Sequence, residues 1–227
     1  MQGGNSTKIS FPSSSAEGGK DIFLSSFYLA PIGYYAALFQ ADSAKIEIGE
    51  NYRKQSYRNR CVIAGANGAM PLSIPIEKPE TPKCPTKDIR IADHGNWRHL
   101  HWNAIVSAYN SSPFFDYYRD DFEPFYEKKY DFLCDFNEQL QGLVCRLLGV
   151  ETPVSYTIAY EETPAPRVID LRETFHAKRE PEYETPVYYQ VFSEKFGFIP
   201  NLSVIDLLFN TGNEARLVLA GVEKLVI

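Results

Sequence analysis

The feature that most constrains this chain is the order of its opening: an extended apolar run, a proline, an amphipathic run and a second extended run between Ile22 and Ile48. Ile22 to Ser26 has the length and apolar content of a short strand. Pro31 follows at a place where a first helical turn tolerates proline, and Tyr34, Tyr35, Leu38 and Phe39 form an apolar stripe behind it. Ala44 to Ile48 then alternates apolar and polar residues, as a half-buried strand does. Two strands joined by one helix lie parallel, so the spacing predicts a β-α-β unit and a parallel sheet.

Later segments add other elements to that start. Asn67-Gly68 lies between two extended runs and predicts a two-residue hairpin turn with positive φ. Beyond it Met70, Leu72, Ile74 and Ile76 alternate with Pro71, Ser73 and Pro75, which predicts one apolar face on an edge strand. Asp88 to Ala92 is short enough for another strand. Helices are expected over Trp97 to Tyr109, Pro113 to Asp120 and Phe122 to Lys129. The strongest helical pattern runs from Asp131 to Leu148, with Phe132, Phe136, Leu140, Leu143, Val144 and Leu147 in phase and Gly149 at the C-terminal cap position. Ser155 to Tyr160 reads as a strand, and Glu161 to Pro186 as a polar stretch with a short helix around Leu171 to Ala177. Ser203 and Asp206 have capping-box spacing ahead of Val204, Ile205, Leu207 and Leu208. The expected fold class is therefore α/β: a mixed, mainly parallel sheet with flanking helices, one β-hairpin and a helix-rich second half.

Composition sets the organisation and the compartment. Residues 1–20 are rich in Gly and Ser and read as a disordered lead-in, leaving 21–227 as one α/β domain whose 44% hydrophobic and 14% aromatic content fills a core. A net charge of −6 argues against a nucleic-acid partner, which needs surplus positive charge to displace counterions. Cys61, Cys84, Cys134 and Cys145 contain no C-x-x-C pair, and Cys134 and Cys145 fall on one predicted helix ~16 Å apart along its axis, out of disulfide reach. That fits a reducing compartment, and with no apolar run long enough for a membrane span the expected location is the cytoplasm.

The common catalytic signatures are absent: no G-x-G-x-x-G, no P-loop, no H-E-x-x-H and no G-x-S-x-G. His99 and His101 would point ~200° apart on a helix, so no metal site is expected there. His101, between Trp97 and Trp102, is the candidate general acid or base; the competing reading is a core histidine. Gln55-Ser56-Tyr57-Arg58-Asn59-Arg60 is denser in chemistry. If extended, it puts Arg58 and Arg60 on one face as two planar forks for a phosphate or carboxylate, with Gln55, Tyr57 and Asn59 beside them. The competing reading is a solvated pair that balances acidic neighbours. Trp102, Tyr189, Gln190 and Asn201 mix aromatic faces with amides that fix orientation when buried, and join the candidate substrate-binding set. The partner expected from this set is an anionic small molecule; no cofactor is indicated.

Five ordered motifs carry a resemblance. They are Phe27-Tyr28-Leu29-Ala30-Pro31-Ile32-Gly33-Tyr34-Tyr35, the run Tyr52 to Arg60, Trp97 to Trp102 with Tyr109-Asn110-Ser111-Ser112-Pro113-Phe114-Phe115, Tyr188-Tyr189-Gln190-Val191-Phe192, and Asn201 to Gly212. In this order the chain resembles the WbqC-like family, from about Phe23 to Gly212, with Ala30 departing from the family's usual Tyr-Leu-Pro. The resemblance implies a bacterial protein of O-antigen-type surface polysaccharide biosynthesis. It implies a transferase on an activated glycan precursor such as a nucleotide sugar, with aminoacyl (glycine) transfer as one form. A non-catalytic binding component of a polysaccharide-assembly complex is the alternative. The β-α-β opening also looks like nucleotidylyltransferases, but without the histidines of their H-x-G-H motif.

Overall fold

The computed structural model describes residues 19–225 and 227; the lead-in expected over residues 1–20 lies, through residue 18, outside them. The opening folds as its pattern predicts. Strand β1 (Asp21–Ser25), helix α1 (Ile32–Gln40) and strand β2 (Ser43–Glu47) form a parallel unit in which Phe23 lies beside Lys45 and Leu24 beside Ile46. Two short strands extend the sheet: β5 (Val154–Tyr156) pairs with β2, and β6 (Ile169–Asp170) pairs with β1, giving the all-parallel order β5-β2-β1-β6. A separate antiparallel hairpin joins β3 (Arg60–Gly65) to β4 (Gly68–Ser73). The mixed, mainly parallel α/β class is thus the observed one.

Alternation along the sheet separates its two faces. Ile22, Leu24, Ala44 and Ile46 belong to a buried cluster that includes residues of α1 and of helix α4 (Leu133–Leu148), and Tyr34 of α1 reaches Gln141 of α4 through its hydroxyl at 3.4 Å. Phe23, Lys45, Glu47 and Ser155 point the other way. Parallel sheets are normally covered on both faces by crossover helices. Here the second face is covered by a strap running from about residue 158 to 178: Arg172 lies 4.4 Å over the Phe23 ring, Glu161 donates its N–H to Glu47 at 2.8 Å, and Lys45 pairs with Glu161.

Several local expectations differ. The hairpin pairs Gly65 with Gly68, so Ala66-Asn67 is its tip, and positive φ falls only on Gly68 (φ 99°). This matches a type I turn closed by a left-handed glycine rather than an Asn-Gly turn. The helices expected at 113–120 and 122–129 are one helix, α3 (Phe115–Glu127), that runs through Pro124. Phe115, Tyr118, Phe122 and Tyr126 bury along one side, and that packing outweighs the ~3 kcal/mol an internal proline costs. Residues 88–92 form no strand but isolated bridges, Arg90 with Phe132 and Ile91 with Ile76, after a 3-10 turn at Thr86–Asp88. The strand expected over 155–160 ends at Tyr156, and where a helix was expected around 171–177 the chain makes turns.

Helix α2 (Trp97–Tyr109) and α4 lie where expected, α4 ending at Gly149 with φ 64° and its N–H on Arg146 and Cys145 carbonyls. After the short α5 (Ser193–Phe196), helix α6 (Val204–Thr211) starts without the expected capping box. The Ser203 hydroxyl instead donates to the Leu29 carbonyl at 2.8 Å, tying α6 to the β1–α1 connection. Gly212 ends α6 as its position predicts, and a last helix, α7 (Ala215–Ala220), which the sequence reading did not include, packs on α1. The four cysteines are free thiols, and burial pushes those of Cys134 and Cys145 on α4 up to about 12.

Candidate functional site

Parallel strands deliver all their carboxyl ends to one edge, where open α/β sheets bind ligands. At that edge β1 ends at Ser25, β2 at Glu47 and β6 at Asp170. The loop after β2 and the strap meet over it and enclose two adjoining cavities. One of about 350 Å³ is lined by Glu50, Asn51, Arg53, Tyr160, Asp170, Arg172 and Glu173. The other, about 140 Å³, shares Arg53, Arg172 and Glu173 and adds Lys54, Gln55, Ser56, Arg58, Phe175, His176 and Lys178.

Arg58 anchors the smaller cavity. Its side chain is 3% exposed, its Nη2 lies 2.5 Å from Glu50 Oε1 and donates to Ser25 Oγ at 3.2 Å, and its guanidinium carbon is 5.7 Å from the Phe27 ring centre. Its Nε is buried without a hydrogen-bond partner. An unpaired donor on a buried cation is costly, so this guanidinium keeps capacity for an acceptor. Asn137 of α4 fixes the backbone beneath, donating to the Arg58 carbonyl at 2.9 Å.

Arg172 by contrast has four of its five donors engaged. It grips Asp170 with two hydrogen bonds of 2.9 and 2.7 Å and donates to the Glu161 and Glu162 carbonyls at 2.8 and 2.9 Å. These bonds hold the Asp170 carboxyl below its usual range despite the opposing burial of the group. Glu47, fully buried, accepts from Gly49 N, Thr157 Oγ1 and Glu161 N at 2.6, 2.8 and 2.8 Å, and so serves as a strut between β2 and the strap. The two walls of the cleft are linked across the top by Arg53 and Glu173, 2.5 Å apart and both more than half exposed.

All of these cleft residues except Ser25 lie inside the stretch 26–181, which matches the sequence pattern of the WbqC-like protein family. This chain belongs to the WbqC-like family. A relative from Mycobacterium tuberculosis named Uncharacterized protein Rv1507c is 25% identical over 221 residues, covering 86% of this chain and 95% of its own length. No solved structure matches the chain significantly.

Of the residues singled out in this WbqC-like sequence, Arg58 and Gln55 line the cleft. Arg60 does not join them. The chain turns between Lys54 and Asn59, with Gln55 at φ 58°, and extends only from Arg60, so the same-face argument fails. Arg60 instead donates to Ser73 Oγ at 3.0 Å across the hairpin, and Asn59 donates to the Ile74 carbonyl at 2.7 Å. Tyr57 is buried, its hydroxyl 3.4 Å from Asn201 Nδ2. Asn201, left-handed at φ 58°, also accepts from the Tyr183 hydroxyl.

His101 sits in the core of α2, 6% exposed, with Nδ1 3.1 Å from the Tyr28 hydroxyl, which in turn meets the Tyr126 hydroxyl at 2.9 Å. Burial pushes its pKa down to about 4, and it lines neither cavity of the cleft. Trp102 donates to Glu123 at 3.0 Å and stacks on Tyr126. Tyr189 is exposed, while Gln190 is buried and bridges the Ile199 backbone and Asp206. Asp206 completes a second buried cluster, accepting from the Tyr109 and Tyr188 hydroxyls at 2.9 and 2.6 Å; burial nevertheless raises its carboxyl to about 6.

Sequence reading missed Glu50, Arg53, Arg172, Glu173, His176 and Lys178. The first two carried an available signal, since they follow the carboxyl end of a predicted parallel strand. The strap residues carried none, because β6 is two residues long and shows no period.

Proposed function

We propose that this chain is a cytoplasmic transferase of bacterial surface-polysaccharide assembly that holds the anionic part of an activated glycan precursor at the carboxyl edge of its parallel sheet. The observation that carries this reading is the buried Arg58 guanidinium, steered by Glu50 and Ser25 and with Nε unpaired, in a cavity that also gathers Arg53, Lys54 and Lys178. Cationic forks with spare donors bind phosphate and carboxylate groups. The adjoining 350 Å³ chamber gives the rest of a nucleotide sugar or aminoacyl donor a place to lie. One buried cluster running from Ile22 to Val222 supports treating residues 21–227 as a single working unit. Among the described residues no helix is long and apolar enough to cross a membrane. His101, enclosed in the core, takes no part in this reading.

A binding component without chemistry is the second reading, favoured by the fact that Glu50, Asp170 and Glu173 are each already paired with an arginine. Nucleotidyl transfer would place phosphates at the amino end of α1. There the Tyr183 ring lies so close to Gly33 that a Cβ would overlap it.

The test is a thermal-shift panel of nucleotide sugars, aminoacyl donors, acyl-CoA and ATP, with wild-type protein and Arg58→Lys. A ligand at 100 times its Kd stabilises the native state by about 2.7 kcal/mol and raises the melting temperature accordingly. We expect one anionic class to do so in the wild type and to lose its effect in the variant. A flat panel refutes the transferase reading, and a shift retained by Arg58→Lys refutes the site.

A further inference from the structure

The strap brings one histidine into the cleft, and its surroundings define what it does there. His176 is half-buried, follows the buried Phe175 and lines the same 140 Å³ cavity as Arg58. Its Nδ1 accepts the backbone N–H of Lys178 at 3.1 Å, and its own carbonyl accepts from Arg179 N at 3.4 Å, so the residue is pinned within a tight turn. A ring nitrogen that accepts an N–H bears no proton. The neutral ring then carries its proton on Nε2, and that atom is a donor. The charged groups lining the cavity with it are Arg53, Lys54, Arg58, Arg172 and Lys178, with Glu173 as the carboxylate, itself engaged by Arg53.

We propose that His176 is an anion-holding residue of this cleft, a neutral imidazole that donates Nε2–H to the same phosphoryl or diphosphate oxygens that Arg58 engages from the opposite wall. The proposal rests on the cleft being the anion site. The two donors come from different parts of the chain, Arg58 from the loop after β2 and His176 from the strap, so a bound anion bridges the walls that Arg53 and Glu173 join at the rim. A neutral donor adds a directed hydrogen bond without adding a sixth positive charge. It also cannot act as a base at Nε2, because the lone pair that would take a proton is on Nδ1 and is engaged by Lys178.

The probe is inorganic pyrophosphate, measured by titration calorimetry on the full chain between pH 6 and pH 8.5. The proteins are the wild type, Arg58→Lys, His176→Ala and His176→Gln. We expect His176→Ala to weaken binding about tenfold, the size of one charge-assisted hydrogen bond to an anion, and His176→Gln to restore most of it, since a side-chain amide supplies a neutral donor. Nitrogen-detected NMR of the wild-type imidazoles at pH 8.5 would show the His176 proton on Nε2 and none on Nδ1, before and after pyrophosphate. If His176→Ala binds as the wild type does while Arg58→Lys binds poorly, the role given to His176 is wrong and the cleft stands. If the wild type does not bind pyrophosphate at all, the proposal for His176 is overturned, and an equally flat nucleotide-sugar panel would then overturn the cleft with it. A doubly protonated His176 in the complex refutes the neutral donor.

Discussion

Asp206→Asn is the perturbation with the most definite consequence. The Asp206 carboxyl is fully buried on α6, and burial raises it from an ordinary 3.8 to about 6 even though Tyr109, Tyr188 and Gln190 donate to it. Between these two values the folded protein keeps a proton that the unfolded chain has released. The folded state binds more protons, so stability falls as pH rises through this window and is level again above it. The gap from 3.8 to about 6 corresponds to ~3 kcal/mol. Asparagine has the same shape and no charge, so the variant lacks this loss. Urea unfolding of both proteins at intervals from pH 4 to pH 7 gives the difference directly, because the slopes of all other groups cancel in the subtraction. We expect the variant to gain ~2 kcal/mol relative to the wild type between pH 4 and pH 6.5, the rest of the ~3 kcal/mol falling outside that interval. Parallel curves would refute the reasoning, since Asp206 would then be charged in both states or neutral in both.

Arg58→Met leaves Glu50 buried and unpaired and should lower stability by about 3 to 5 kcal/mol in urea, with Glu50→Gln in the same chain recovering much of the loss. Gly33→Ala forces the Tyr183 ring off α1 and should cost about 1 to 3 kcal/mol, relieved when Tyr183→Ala is added; equal losses in the two proteins would contradict the overlap. His101 should stay neutral down to about pH 4 in an NMR titration, so its contribution to stability is complete above pH 6.5 and disappears as pH falls from there towards 4. Gly149→Ala must hold an L side chain at φ 64° and should cost about 1 kcal/mol of thermal stability.

The parts of this fold legible in the sequence are those whose cause is local. Strand β1, α1, β2 and α4 follow directly from alternation, stripe and cap, and so does the class of the sheet. Helix α3 was expected as two pieces, whereas Phe115, Tyr118, Phe122 and Tyr126 bury along one continuous side of it. The Ser203–Asp206 spacing misled because both side chains found distant partners, Leu29 and the Tyr109–Tyr188 pair. At the cleft, Arg58 stood out for its chemistry, whereas Arg60 was grouped with it on an assumption of extended backbone that Gln55 breaks. The opposite wall was invisible for a physical reason: its residues are held by pairing to β1 at only two positions, Ile169 and Asp170, too few to leave a pattern.

The strap is cover for the second sheet face, edge strand and cleft wall at once. Enzymes that diversify by exchanging loops keep the variable segment outside the fold's foundations, so a new loop alters selectivity and little else. Here a grafted strap would remove β6, uncover Phe23 and leave the Glu47 carboxylate without its Glu161 partner. Altered selectivity in this scaffold is therefore reachable through single substitutions along the wall, and wholesale replacement of the segment would unfold the protein before it changed its ligand.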